Sequence, residues 1–248
     1  MRLIKKINVG IEKNDSKKLN GNLKFLLSKR FVWMKKFINN KKTVIEIGSG
    51  NGLIKQLLSK KIITSDIELN KNVDKYIDMN KLHLSKKYIN KVDVFIFNHS
   101  IHHSSNPIKT LNKLQKYLKK DGLVLMNEPE ISFFFKLFLY LCNHEGWDLD
   151  LKNKNKKKFW YENNATSRIL FGKKKVGNTF NKNYVILHNV LNEFFIFLNS
   201  GGNSVNSPHI KLNKFLLKFV DKFDDLLIYF FPKIFALNRS IVLRKNEK

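Results

Sequence analysis

The sequence predicts an α/β fold, a mostly parallel sheet with helices on both faces, and three observations carry that prediction. Short apolar runs rich in β-branched residues alternate with helical patterns through residues 43–127. Those runs are apolar nearly throughout, as strands buried on both faces must be. The polar and glycine-rich residues with chemical potential fall at the ends of the runs, where such sheets bind ligands.

Taken in order, Leu19 to Asn39 places Leu23, Leu26, Leu27, Phe31, Met34 and Phe37 at helical spacing, with Lys24, Lys29, Arg30 and Lys35 toward water. Thr43 to Ile47 is a strand entering a glycine cluster, and Leu53 to Ser59 is a helix. A second strand, Ile62 to Ser65, ends at Asp66, and another, Val92 to Phe97, ends at Asn98. Pro107 to Lys120 is helical by its stripe of Ile108, Leu111, Leu114 and Leu118, and Asp121-Gly122 then punctuates before the run Leu123 to Met126.

From Ile131 the pattern changes. The bulky stretch Phe133 to Leu141 precedes a polar segment with Lys152, Lys154, Lys156, Lys157 and Lys158, read as a solvated loop. Tyr184 to Leu187 and Ser240 to Arg244 are two further strands. Between them a helix from Leu212 to Phe231 carries Leu212, Phe215, Leu216, Phe219, Phe223, Leu226 and Phe230 on one face and ends at Pro232. Lys211, Lys214, Lys218 and Lys222 sit off that face. The favoured expectation is that the apolar face packs on the sheet; the alternative is an anionic lipid surface.

Composition bounds the function. The 248 residues hold 47 Lys and Arg against 20 Asp and Glu, a net charge of +27. That balance suits nucleic acid or an anionic membrane, although a codon bias toward Lys, Asn, Ile and Phe would also produce it. The single Cys142 excludes an internal disulfide and argues against a cysteine metal cluster. The longest apolar run, Ile131 to Cys142, is interrupted by Lys136 and would extend only ~18 Å as a helix. Met1 to Asn14 is basic without a signal-type apolar core, so a soluble cytoplasmic protein is expected.

The chemistry begins at Glu46-Ile47-Gly48-Ser49-Gly50-Asn51-Gly52, an acid followed by glycines at alternate positions after a strand. The glycines let main chain turn tightly against a ligand, and the next helix offers unpaired N–H groups. In the dinucleotide pattern G-x-G-x-x-G the last glycine comes one position later, and here an acid precedes the first. A carboxylate there repels phosphate and suits an ammonium. Asp66, twenty residues after Glu46, closes the next strand, where an acid can accept hydrogen bonds from ribose hydroxyls.

From Thr43 to Glu128 these residues resemble the class I S-adenosylmethionine-dependent methyltransferases. The resemblance includes the segment Val44 to Gly52, Asp66, Asp78-Met79, the run Val92 to His103, Asn106-Pro107 and the segment Leu118 to Pro129. Asp121 replaces a usual glycine, which affects a turn. The resemblance implies a Rossmann-like seven-stranded, mostly parallel sheet with an antiparallel closing strand and S-adenosylmethionine as cofactor. It implies that Glu46, Gly48, Ser49, Gly50 and Gly52 hold the methionine end, Asp66 the ribose, and Asp78 with Met79 the adenine, with Ile67 also among the cofactor-binding residues. Asn98 and His99 would then lie beside the sulfonium.

The second half resembles one subgroup of bacterial methyltransferases through His144-Glu145 with Asp148, Asn164-Ala165, Ile169-Leu170-Phe171 and Ser200-Gly201-Gly202 followed by Pro208. That implies a helical lid inserted after strand 5. The expected layout is a single domain: an N-terminal helical cap over 1–40, a cofactor-binding core over 41–130, the lid over 131–180, and closing strands with the amphipathic helix over 181–248.

Methyl transfer is an in-line displacement that needs alignment, exclusion of water and, where required, a base. His102, His103, His144 and Glu145 are the catalytic candidates, each with a competing structural role in packing, capping or fastening the lid. No metal site is expected: His102 and His103 would point apart in an extended loop, and Asp148 occupies the position a second histidine would need after Glu145. The expected function is methyl transfer to a small-molecule or cell-envelope acceptor, a sugar or a lipid-linked compound, with peripheral contact to an anionic membrane. The alternatives are an RNA methyltransferase, disfavoured by the lack of an Asn-Pro-Pro-aromatic motif, and a non-catalytic membrane or binding protein with a degenerate cofactor fold.

Overall fold

A computed structural model describes residues 19–142, 145–156, 158–172, 183–202 and 207–246. Met1 to Asn14, His144, Lys157 and the last residues of the expected lid lie outside the described residues. Seven strands form one sheet in the order β3-β2-β1-β4-β5-β7-β6. They are β1 (Val44–Ile47), β2 (Ile63–Asp66), β3 (Lys75–Tyr76), β4 (Val92–Asn98), β5 (Leu118–Pro129), β6 (Tyr184–Asn192) and β7 (Asn238–Lys245). β1 to β5 pair in parallel, whereas β7 runs antiparallel between β5 and β6. This is the expected Rossmann-like sheet with an antiparallel closing strand.

Two-sided burial explains the continuous apolar runs. Ile45, Ile47, Phe95, Phe97, Val124 and Met126 face one core. Their neighbours Val44, Val94, Ile96, Leu125 and Val242 face the other. α1 (Gly21–Val32) and α3 (Leu53–Leu57) cover the second face, and α4 (Pro107–Leu114) and α5 (Phe133–Leu141) cover the first. Asn20 caps α1, its Oδ1 accepting from the Leu23 amide at 2.8 Å. A turn after Trp33 separates α1 from the short α2 (Lys35–Ile38), so the predicted helix over 19–39 is two pieces.

The helix predicted to reach Lys120 stops at Leu114. β5 instead begins at Leu118, which pairs with Val92, and it passes an irregularity where Asp121 takes φ 56° before Leu123 pairs with Val94. Leu118 fits both a helical stripe and a strand, and the partner strand decides between them. Asn106 caps α4, its Oδ1 accepting from the Lys109 amide at 2.9 Å, with Pro107 at the first helical position. Asn106→Ala should lower stability by about 1 kcal/mol in a denaturant melt.

After β5 come α5, α6 (Thr166–Phe171) and β6, then α7 (Phe195–Leu198), α8 (Lys214–Phe230), α9 (Pro232–Phe235) and β7. α8 corrects the favoured expectation for its apolar face. Leu217, Asp224 and Ile228 are its buried residues, while Phe215, Phe219, Phe223, Leu226 and Phe230 remain exposed. Polar tethers set that rotation. The Asp224 carboxylate accepts from the amides of Phe194, Phe195 and Ile196 at 2.9, 2.9 and 3.1 Å. Asp221 pairs with Lys29 of α1. Holding Asp221 and Asp224 inward leaves the phenylalanine stripe outward. No helix among the described residues is long and apolar enough to cross a membrane.

Candidate active site

The glycine turn leaves β1 with Gly48, Gly50 and Gly52 all at positive φ, 73°, 50° and 64°. The amides of Gly48 and Ser49 both donate to the Ser65 carbonyl at 2.9 Å, tying the turn to β2. A side chain on Gly48 would meet Ser100 Cβ at 2.5 Å, because the tip of β4 closes directly over the turn. Met79 Cε lies 3.5 Å from the same point. Asp66 Oδ2 accepts from the Gly50 amide at 2.8 Å, and Oδ1 accepts from the Glu68 amide at 3.2 Å. Glu46, Gly48, Ser49, Gly50, Gly52, Asp66 and Met79 are thus brought together at the strand ends. Ile67 is exposed beside them, and Asp78 accepts from the Asn80 amide at 2.8 Å with Lys81 3.8 Å away.

Glu46 is buried, and its Oε2 has no hydrogen-bond partner; Asn51 Nδ2 in the same turn is likewise buried and unpartnered. Burial pushes the Glu46 carboxyl up to about 8, a Ser49 hydrogen bond opposes that, and the charge of Asp66 adds to it. A buried carboxyl with an unused oxygen beside bare main chain suits an ammonium donor.

Asn98 and His99 end β4. Asn127 Nδ2 donates to Asn98 Oδ1 at 3.4 Å. His99 stands at φ 53°, its amide donating to the Asn127 carbonyl at 2.7 Å and its Nε2 3.1 Å from Asn238 Oδ1. Its ring is therefore turned toward β7. Burial, then the charge of Arg30, hold it well below the usual imidazole value, so it is neutral. Arg30 itself forms a buried pair with Glu193, Nε to Oε1 at 2.9 Å and Nη2 to Oε2 at 2.7 Å.

The next turn gathers charge. Residues Ile101–His103 form one turn of 3-10 helix, which brings the His102 and His103 rings to 4.3 Å between centroids. The extended loop that would splay them is absent. Glu128, buried at the end of β5, accepts from the Ser100 and Ile101 amides at 2.9 and 3.0 Å through Oε1. Its Oε2 lies 2.6 Å from His102 Nδ1. On the other side, His102 Nε2 is 3.4 Å from Glu145 Oε2, and His103 Nε2 is 3.7 Å from Glu145 Oε1. Burial alone would lower the His102 pKa, but Glu128 and then Glu145 outweigh it and raise it to about 10.

One ligand atom each from His102, His103 and Glu145 lies within 4.8 Å of the others, a spacing a metal ion could bridge. The ion pairs around the His102 imidazolium account for that spacing without one. Asn164 Nδ2 donates to Glu145 Oε2 at 3.3 Å, and the Asn163 amide to the His102 carbonyl at 3.4 Å, so the segment after α5 is fastened to this turn.

Glu128 was legible only as part of a resembling segment and was not singled out for a role. The signal was present: like Glu46 and Asp66, it is an acid near the carboxyl end of a parallel strand. Glu130, which pairs with Arg239 at 2.8 Å and Arg168 at 3.2 Å, was missed as well.

Comparison with known proteins identifies the family. Residues 13–180 match the family model described as Methyltransferase domain. No curated protein matches the chain. Among solved structures, an SAM-dependent methyltransferase from Archaeoglobus fulgidus is similar at 12% identity and TM-score 0.48, over 90% of this chain and 94% of that one. An S-adenosylmethionine-dependent methyltransferase from Mesorhizobium loti is similar at 10% identity and TM-score 0.45, over 90% and 98%. The plantazolicin methyltransferase BpumL in complex with SAH is similar at 15% identity and TM-score 0.46, over 94% and 88%. With the family model covering more than half of its length, the chain belongs to the class I S-adenosylmethionine-dependent methyltransferases.

Proposed function

We propose that this methyltransferase acts on a small-molecule or cell-envelope acceptor, a sugar or lipid-linked compound, and that His103 takes the proton the acceptor loses. The observation that carries the reading is the chain Glu128–His102–Glu145–His103 at the carboxyl ends of β4 and β5, joined to the glycine turn through Ser100.

Glu46 and the turn of Gly48, Ser49, Gly50 and Gly52 hold the methionine end of the cofactor. The unpartnered Glu46 Oε2 is the feature that fits an ammonium. Asp66 and Ile67 serve the ribose, Asp78 and Met79 the adenine, and Asn98 and His99 the region near the reacting sulfur. When bound, S-adenosylmethionine supplies a methyl group on a positively charged sulfur.

The roles within the polar chain follow from its charges. His102, held protonated to about pH 10, is no base at neutral pH. It is a positioning residue that fixes Glu145, and Glu128 in turn fixes His102. His103 is the more open of the two imidazoles, and Glu145 steadies it on the protonated side of the transfer. α5 and α6 fall within the lid expected over 131–180, whose aromatic residues suit an apolar or glycan acceptor.

The test uses labelled cofactor with envelope sugars, lipid-linked intermediates and RNA as acceptors. Transfer to RNA alone would overturn the acceptor class. With an accepted substrate, His103→Gln should lower kcat about a hundredfold or more and flatten the rise of rate with pH, leaving cofactor affinity unchanged. An unaltered kcat, or a matching loss of cofactor affinity, would remove His103 from this role.

A further inference from the structure

The outward face of α8 is apolar. Phe215, Phe219, Tyr229 and Phe230 are 78%, 64%, 79% and 62% exposed, and Phe223 and Leu226 lie among them. An aromatic stripe along one helix exceeds the scattered apolar residues of an ordinary surface. Lys214, Lys218 and Lys222 each precede one of the phenylalanines 215, 219 and 223, so at four-residue spacing the two rows run side by side.

Two of the three acids of the same helix, Asp221 and Asp224, are turned to the protein, and the third, Asp225, is exposed. Asp224 caps α7, while Asp221 pairs with Lys29 and Asp225 lies 3.6 Å from it. The helix therefore shows its surroundings an apolar stripe edged by cations. Beside the stripe a cavity of about 420 Å³ opens between α7 and α8, lined by Phe195, Ile196, Leu212, Leu217, Phe219 and Phe223, with Asn199 as its polar residue.

We propose that this face docks on an anionic lipid bilayer, with the aromatic stripe at the boundary between headgroups and acyl chains, the lysine row against lipid phosphates and the cavity receiving an acyl chain. Charge complementarity selects this occupant. A second copy of the chain would present another row of three lysines with Asp225 as the one exposed acid of α8 to offset it, since Asp221 and Asp224 are engaged internally. The placement also suits the site: α9 follows α8 directly and leads into Asn238, which contacts His99. This inference does not rest on the methyl-transfer reading.

The test is flotation of the full chain with vesicles of phosphatidylcholine alone or mixed with phosphatidylglycerol, with cofactor affinity measured in parallel. Binding to the phosphatidylglycerol vesicles, weakened by salt, is expected. Phe215→Ser with Phe230→Ser should reduce it at least tenfold, as should Lys214→Glu with Lys218→Glu, roughly. Both pairs are exposed, so melting temperature and cofactor affinity should stay unchanged. Absent or equal binding to both vesicles would overturn the proposal. So would a dimer in light scattering that the phenylalanine substitutions dissociate without any vesicle binding, which would make the face a self-interface.

Discussion

Glu128→Gln should cost about 3–5 kcal/mol of stability and at least about a hundredfold in turnover, the largest effect expected of any single change in the site. The glutamine keeps an oxygen for the Ser100 and Ile101 amides, but it removes the negative charge 2.6 Å from His102 and can set an N–H donor against the Nδ1–H. A buried imidazolium is left with Glu145 alone. The pH dependence distinguishes this cause from simple mispacking. His102 is raised from about 6.5 to about 10 in the folded protein, so its pairing stabilises fully below pH 6.5 and that contribution is lost as pH rises through 10. Denaturant melts of the two proteins should differ most near pH 6 and converge toward pH 10. A gap independent of pH would show that the ion pair is not what Glu128 supplies.

Glu46→Gln should weaken S-adenosylmethionine binding by about ten- to a hundredfold above pH 8, the worth of a charge-assisted hydrogen bond to an ammonium. In the free protein burial holds this carboxyl protonated up to about pH 8. Binding an ammonium favours the carboxylate, so the wild-type protein should release a proton on binding at pH 7, and its affinity should rise with pH until about 8. Calorimetry in two buffers of different ionisation enthalpy reads that proton directly. The glutamine variant should release none.

Stability should move the other way. A carboxyl whose folded pKa lies above its unfolded value contributes stability below its ordinary range and loses it as pH rises toward 8. Glu46→Gln should therefore melt higher than wild type above pH 8 in the absence of cofactor. A glutamine variant with unchanged affinity and unchanged proton release would remove Glu46 from the cofactor site.

The half of the site around the glycine turn was legible because its parts are local. Glu46, Gly48, Gly50 and Gly52 follow one strand within seven residues, and positive φ at three of them restricts what the chain can place there. Asp66 was legible by position, since the next parallel strand ends beside the first. Asp78 and Met79 come from beyond an intervening loop, and packing brings them to the turn, Met79 Cε lying 3.5 Å from where a Gly48 side chain would stand.

The other half was not legible in that way. Glu128, His102, His103 and Glu145 come from a strand end, a one-turn helix and a loop beyond α5, and only the packing of those three segments makes them a chain of charges. His102 and His103 looked divergent because the sequence does not reveal that residues 101–103 coil.

The amino-acid sequence by itself determined the alternation of buried strands and helices, the sheet that follows from it, and the glycine turn at its switch point. These depend on hydropathy period and backbone freedom, which neighbouring residues carry. Tertiary structure alone decided where β5 begins, how the histidine turn acquires its charge, and which side of α8 faces out. Helical periodicity sets the width of an apolar stripe, but its rotation is set by partners far along the chain, here Lys29 for Asp221 and the amides of residues 194–196 for Asp224. Those contacts hold acids inward and leave phenylalanines exposed, an outcome that hydrophobicity read along the chain would reverse.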